Sequence, residues 1–175
     1  MRSPRGRKRT TGDRYKSGKL RPRRDVGTQE SIAKRAAIVG AADPALAHYP
    51  LGVAHARGFI SDRERRAGEL YARAFSLRLD GRPERLASPM RHFQPKTGRE
   101  PSDETLERAR TTFEVAATTL ARHGAETKRT VDLVAVFEAW PDWLITAIRG
   151  ESLDQEQQTE RARLITGLRS LVDVF

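Results

Sequence analysis

The sequence predicts an all-α fold, a helical bundle of about six helices in two halves, preceded by a disordered basic N-terminal arm. Three observations lead there. Apolar residues recur at three- and four-residue spacing through most of 28–175, punctuated by serine caps and glycine stops. Alternation of the kind a strand needs is nearly absent. The charge is also segregated rather than spread.

Of 175 residues, 37% are hydrophobic and 32% are charged. Residues 1–24 hold eleven bases, Arg2, Arg5, Arg7, Lys8, Arg9, Arg14, Lys16, Lys19, Arg21, Arg23 and Arg24, against one acid, Asp13. Their net charge of +10 equals that of the whole protein. Removing them from totals of 33 bases and 23 acids leaves residues 25–175 with 22 of each. The pI near 10.7 is therefore a property of the arm. A neutral body supplies little long-range attraction, so any such pull on phosphate comes from the arm.

Residues 1–27 carry Pro4, Gly6, Gly12, Gly18, Pro22 and Gly27 among the cations, and Leu20 is their one aliphatic residue beyond Met1. Charge repulsion and glycine entropy both oppose folding there, and disorder is expected. No apolar stretch follows the basic start, so a secretory leader is not expected, and an amphipathic presequence helix has nothing to build on. No run approaches the roughly 18 apolar residues of a membrane span, so no membrane partner is expected. The absence of cysteine excludes disulfides, thiolate chemistry and cysteine-based zinc sites, and fits a reducing cytoplasm.

An N-terminal helical part is read over 28–79. Thr28 caps a first helix with Ile32, Ala36 and Val39 on its apolar side and Gly40 as its stop. Asp43-Pro44 and Tyr49-Pro50 are loop or helix-entry signals, and a short helix runs from Pro50 to Gly58. Ser61 and Glu64 are spaced as a capping box for a helix reaching about Leu79, with Ala67, Leu70, Tyr71, Ala74 and Leu77 on one side and Gly81 as its end. Residues 80–101 hold Pro83, Pro89, Pro95, Gly98 and Pro101, which makes them a functional loop or a boundary between halves.

The C-terminal part, 102–175, restarts at Ser102. Leu106, Ala109, Phe113, Ala116, Ala117 and Leu120 form an amphipathic stripe closed by Gly124. A helix over about 126–140 follows, carrying Val131, Val134, Phe137 and Trp140. Pro141 opens a short helix with Trp143, Leu144 and Ile148 that stops at Gly150. Ser152 and Gln155 fit a second capping box, starting a helix that is polar to Arg163 and then apolar at Leu164, Ile165, Leu168, Leu171, Val172 and Phe175.

The clusters at 5–9 and 19–24 suit phosphate oxygens, since guanidinium forks and ammonium groups bind them with little regard to base sequence. All ten bases from Arg5 to Arg24 are candidate nucleic-acid contacts, with duplex DNA as the expected partner. A localisation signal, a solubilising tail or an acidic-protein contact reads the same run differently. Ala54 and Gly58, followed by a capped helix, resemble the alanine and turn glycine of a helix-turn-helix. Beyond the turn Glu64 stands where an aliphatic residue is expected, and Asp62, Arg66, Glu69 and Arg73 alternate in sign, so a plain helical hairpin fits as well. Arg63 and Arg66 are the candidate contacts of that unit.

His48, His55, His92 and His123 lack metal-ligand spacing, no phosphate-cradling glycine motif occurs, and no serine has a nucleophile context. No metal, no cofactor and no enzymatic activity is expected. Trp140 and Trp143 read as core residues, with a partner anchor as the alternative. The apolar end of the last helix, Leu164, Leu168, Leu171, Val172 and Phe175, either docks on its own domain or pairs with a second copy.

The arm, Gly27-Thr28, Asp43-Pro44, Tyr49-Pro50-Leu51-Gly52, the turn Arg57-Gly58-Phe59-Ile60-Ser61, and Ala67-Gly68 together resemble helical proteins of alphaproteobacterial phages and prophages. Residues 50–175 are similar, more loosely, to a helical domain of regulators in those bacteria. The resemblance implies a phage-type DNA-binding protein acting in transcriptional control, or in packaging in the manner of a small terminase subunit; it carries no catalytic residue. The alternatives are a protein adaptor using the last helix, with the tail incidental, and an RNA-binding protein.

Overall fold

The computed structural model of the chain describes residues 28–40, 43–78 and 102–175. Among them are seven α-helices: α1 (Gln29–Val39), α2 (Pro50–Ala56), α3 (Asp62–Arg78), α4 (Asp103–Arg122), α5 (Ala125–Val131), α6 (Asp142–Ile148) and α7 (Gln155–Val172). A 3₁₀ turn covers Pro44–His48, a π-helical turn covers Asp132–Val136, and no described residue is in a strand. The all-α reading holds. The helix end expected at Leu79 and Gly81 and the connection 80–101 lie outside the described residues.

The chain divides into two compact units, Met1–Lys34 and Arg35–Phe175. In the first, the Thr28 hydroxyl accepts from the Ser31 backbone N–H at 3.2 Å, the expected cap, and Glu30 pairs with Lys34 at 2.7 Å. In the second, the two halves expected on either side of 80–101 share a single core. α3 packs on α4, on α7 and on the π-helical turn, because its stripe of Ala67, Tyr71, Ala72 and Ala74 is matched by Phe113, Ala116 and Leu120 of α4 and by Leu164, Leu168 and Leu171 of α7.

Two mid-helix glycines set how closely α7 approaches its neighbours. A Cβ at Gly68 would stand 2.7 Å from a methyl of Leu51 and 2.9 Å from one of Leu168. At Gly167 it would stand 2.5 Å from Val131. A helix-interior glycine costs about 1 kcal/mol against alanine, and here close packing offsets that loss.

The helix expected over 126–140 breaks earlier. From Asp132 the hydrogen bonding widens, with the Phe137 N–H donating to the Asp132 carbonyl at 3.1 Å, and Glu138 adopts a left-handed φ of 49°. Val134, Ala135 and Val136 are all buried, and three consecutive residues cannot share one face of a 3.6-residue turn. The wider turn brings all three inward. Its consequence is that Phe137 and Trp140, expected in the stripe, are 54% and 39% exposed, whereas Trp143 is fully buried. The second capping box also sits two residues later than expected: Asp154 accepts from the Gln157 N–H at 2.8 Å, and the Gln157 side chain accepts from the Asp154 N–H at 3.3 Å. Gln157 also donates to Thr146 of α6 at 3.1 Å, which favours this register over the one from Ser152.

Candidate nucleic-acid interface

Arg5, Arg7, Lys8, Arg9, Arg14, Lys16, Lys19, Arg21, Arg23 and Arg24 lie outside the described residues. The unit that can be built from the residues upward is α2, its turn and α3. Pro50 presets the first turn of α2, and Gly58, at φ 75°, ends it in the left-handed conformation that glycine adopts without strain. The Phe59 N–H returns to the Ala54 carbonyl at 2.9 Å. Arg57, an exposed cation by sequence, is committed to structure: its guanidinium donates to the Ile38 and Ala37 carbonyls at 2.7 and 2.9 Å, closing the end of α1.

The capping box at the start of α3 forms in both directions. Glu64 accepts from the Ser61 N–H at 2.6 Å, and Ser61 accepts from the Glu64 N–H at 3.2 Å. Glu64 is buried, in the place where an aliphatic residue was expected, and its second oxygen accepts from Arg169 of α7 at 2.9 Å. Burial pushes the Glu64 carboxyl up, but Ser61 and Arg169 outweigh it and hold the group below its ordinary range.

The outward side of α3 differs from an evenly alternating face. Glu69 turns to one flank, where its carboxylate accepts from the Tyr49 hydroxyl at 2.8 Å and pairs with Arg65. Asp62 accepts from Arg65 at 2.7 Å and Arg66 at 2.8 Å, and the hydrogen bond from Arg65 is the main influence lowering its carboxyl. Arg63 and Arg73 are exposed and form no ion pair with a described residue. Five arginines thus stand against three carboxylates along α3, and one of the three, Glu64, is buried and paired with Arg169 of α7.

Arg63 and Arg66 lie on the flank where α7 ends. With Ala67, Leu70, Val172 and Phe175 they line a cavity of about 350 Å³. A recognition helix presents its outward side to a major groove, but here the end of α7 stands against the flank of α3 that carries Arg63. The arrangement is that of a hairpin with a basic ridge, suited to contacting phosphate from the side.

The last-helix stripe does not stand free as an interface. Leu164, Leu168 and Leu171 are fully buried in the core of their own chain, because α7 is clamped by α3, α4 and α5. Val172 is half-buried, and Phe175 remains 39% exposed. Sequence reasoning missed Arg169, whose interhelical partner 105 residues away leaves no local signal. No group of His, Asp or Glu among the described residues is arranged to hold a metal, and none of the described helices is long and apolar enough to cross a membrane. No protein-family model, curated protein or solved structure matches the chain.

Proposed function

We propose that the chain is a non-enzymatic DNA-binding protein of phage type, whose cationic residues Arg5–Arg24 hold duplex DNA through its phosphates. Its role is DNA recognition for packaging, in the manner of a small terminase subunit, or transcriptional control. The observation that carries this reading is the segregation of charge: eleven bases and one acid in residues 1–24, and equal numbers of each thereafter. The body supports it indirectly. Arg63 and Arg73 are exposed on α3 and form no ion pair with a described residue, and with Arg66 they make the ridge that serves as the body's secondary contact.

Deleting residues 1–24 and titrating duplex DNA at 50 and 200 mM salt tests the proposal. If six to ten phosphates are neutralised, full-length binding weakens about 10³–10⁵-fold across that range, and the deletion removes most of both the affinity and its salt dependence. A duplex RNA of the same length run in parallel decides the nucleic acid. Weak, salt-independent binding by the full chain, with a protein partner retained after deletion, would establish the adaptor role instead.

A further inference from the structure

A groove separate from the α3 ridge runs along α7. Leu153, Gln158, Arg161, Ala162 and Ile165 line it, and its volume is about 490 Å³. The last four stand at i, i+3, i+4 and i+7, one side of the helix over two turns, or about 10 Å at 1.5 Å per residue. This is not the core stripe, since Leu164, Leu168 and Leu171 are fully buried. Leu153 and Ile165 stay half-buried, and the Gln158 amide is turned back to donate to the Leu153 carbonyl at 2.9 Å.

Arg161 is the one charged residue among the five. Its guanidinium carbon lies 4.8 Å from the centre of the Phe59 ring. The fully buried Trp143 meets that ring edge-on at 5.6 Å, which fixes the platform from the other side. The Arg161 Nε is buried, no described group accepts from it, and the side chain forms no ion pair with a described residue. The charges nearby are committed or face elsewhere. Its helical neighbours three and four residues away, Gln157, Gln158, Leu164 and Ile165, are uncharged. Glu156 and Glu160 line a different groove with Glu126, Arg129, Asp142 and Arg163. Asp154 caps α7 through the Gln157 N–H. Beyond the Phe59 turn, Asp62 is held by Arg65 and Arg66 with His55 at 3.9 Å, Glu64 by Ser61 and Arg169, and Arg57 by the end of α1. Arg149 and Glu151, in the loop before Leu153, are exposed and do not line the groove.

We propose that this groove docks an amphipathic helix of a protein partner, one that sets a carboxylate among apolar side chains. The carboxylate meets the Arg161 guanidinium, and the apolar residues lie on Leu153, Ala162 and Ile165. Charge complementarity selects this occupant: a guanidinium stacked on a ring and partly withdrawn from water gains more from a carboxylate than an exposed one does. A basic segment would place like charge there, and a nucleic-acid backbone would find one cation between apolar flanks. The spacing along α7 is that of a helix laid against a helix, whose anchors recur at i, i+3, i+4 and i+7. The site is independent of the DNA-binding role, and its test involves no nucleic acid.

The test uses the full chain and fluorescence anisotropy of a labelled synthetic helix with leucines at i, i+3 and i+7 and glutamate at i+4. Saturable binding is expected, weakened at least about tenfold when that glutamate is glutamine. This comparison uses the unaltered protein and so does not depend on a variant's folding. Arg161→Met keeps an apolar stem on Phe59 and removes the charge; it should weaken the glutamate peptide at least about tenfold and leave the glutamine peptide unaffected. Arg163→Met removes an exposed cation of the neighbouring groove and should leave binding unchanged. Absence of saturable binding, equal binding of the two peptides, undiminished binding in Arg161→Met, or an equal loss in Arg163→Met would each overturn the assignment. So would self-association of the full chain that Arg161→Met abolishes, which would give the groove to a second copy.

Discussion

The buried carboxylate of Glu64 and the guanidinium of Arg169, 105 positions apart, meet at 2.9 Å and tie the first turn of α3 to the last turns of α7. One oxygen of Glu64 serves the helix cap and the other serves the interhelical pair, so a single side chain sets a local start and a tertiary contact. Removing it leaves the Ser61 N–H without its acceptor. Glu64→Ala is expected to destabilise by about 1–3 kcal/mol in urea unfolding. Arg169→Ala is expected to lose at most about 1 kcal/mol, because its side chain is 73% exposed and solvent screens the pair. Equal losses in the two variants would contradict this division.

The same carboxyl gives a signed pH dependence. Its folded pKa lies below its ordinary value of 4.5. The stabilisation is therefore full above that value and is lost as pH falls through the folded pKa. Wild-type stability measured from pH 6 to pH 3 should fall more steeply than that of Glu64→Gln. Parallel slopes would assign acid sensitivity to other groups.

The buried tyrosine hydroxyl in the middle of α3 works in the opposite direction. Tyr71 is fully buried and donates to Asp132 at 2.6 Å, and burial first, then Asp132, raise its pKa above the ordinary 10.0. This stabilisation is complete below pH 10 and is lost as pH rises through the higher folded value. Tyr71→Phe should cost about 1–2 kcal/mol at neutral pH, since Asp132 keeps only Lys128, and should blunt the alkaline loss of stability.

Local grammar was the legible part. Thr28, Ser61–Glu64, Ser102 and the glycines at 40, 58, 124 and 150 mark element ends through interactions within a few residues, which a linear reading can see. What resisted was set by packing across the chain. The π-helical turn answers a need to bury Val134, Ala135 and Val136 together, and no spacing rule announces it. Glu64 looked misplaced in a buried position because its partner is on α7. The close contacts of Gly68 with Leu51 and Leu168, and of Gly167 with Val131, likewise lie across the chain and leave no local signal. In the candidate interface, the alternation along α3 was visible, but the withdrawal of Glu69 towards Tyr49 was not.

Those two glycines carry their own expectation. Gly68→Ala and Gly167→Ala each improve intrinsic helix propensity, yet each should destabilise by about 1–3 kcal/mol through overpacking against Leu51, Leu168 and Val131. An increase in the denaturation midpoint for either would mean that the helices can part without loss.

The basic ridge predicts a graded effect on nucleic-acid binding. Replacing Arg63, Arg66 and Arg73 together by alanine, with residues 1–24 intact, should reduce the slope of log K against log salt by about 2–3, at roughly 0.9 for each phosphate no longer neutralised. Arg57→Ala is the matched control. It removes one cation of the same unit, but that cation is bonded to the end of α1, so it should lower stability while leaving the salt slope unchanged. A fall in slope for Arg57→Ala equal to that of one ridge arginine would show general charge, not position, to be what the nucleic acid senses.

The end of α7 separates folding from association most directly. Leu168 of α7 is fully buried against α3, so Leu168→Ala should cost about 2–5 kcal/mol in unfolding experiments at any protein concentration. Phe175 is partly exposed beside Leu70 and Arg66, and Phe175→Ala should change stability by at most about 0.5 kcal/mol. Were the stripe an intermolecular seam, the Leu168→Ala loss would grow on dilution, because dissociation and unfolding would then be linked. Sedimentation of both variants across a hundredfold concentration range distinguishes the cases: a side chain that fills its own chain's core shifts the unfolding midpoint and leaves the mass distribution alone.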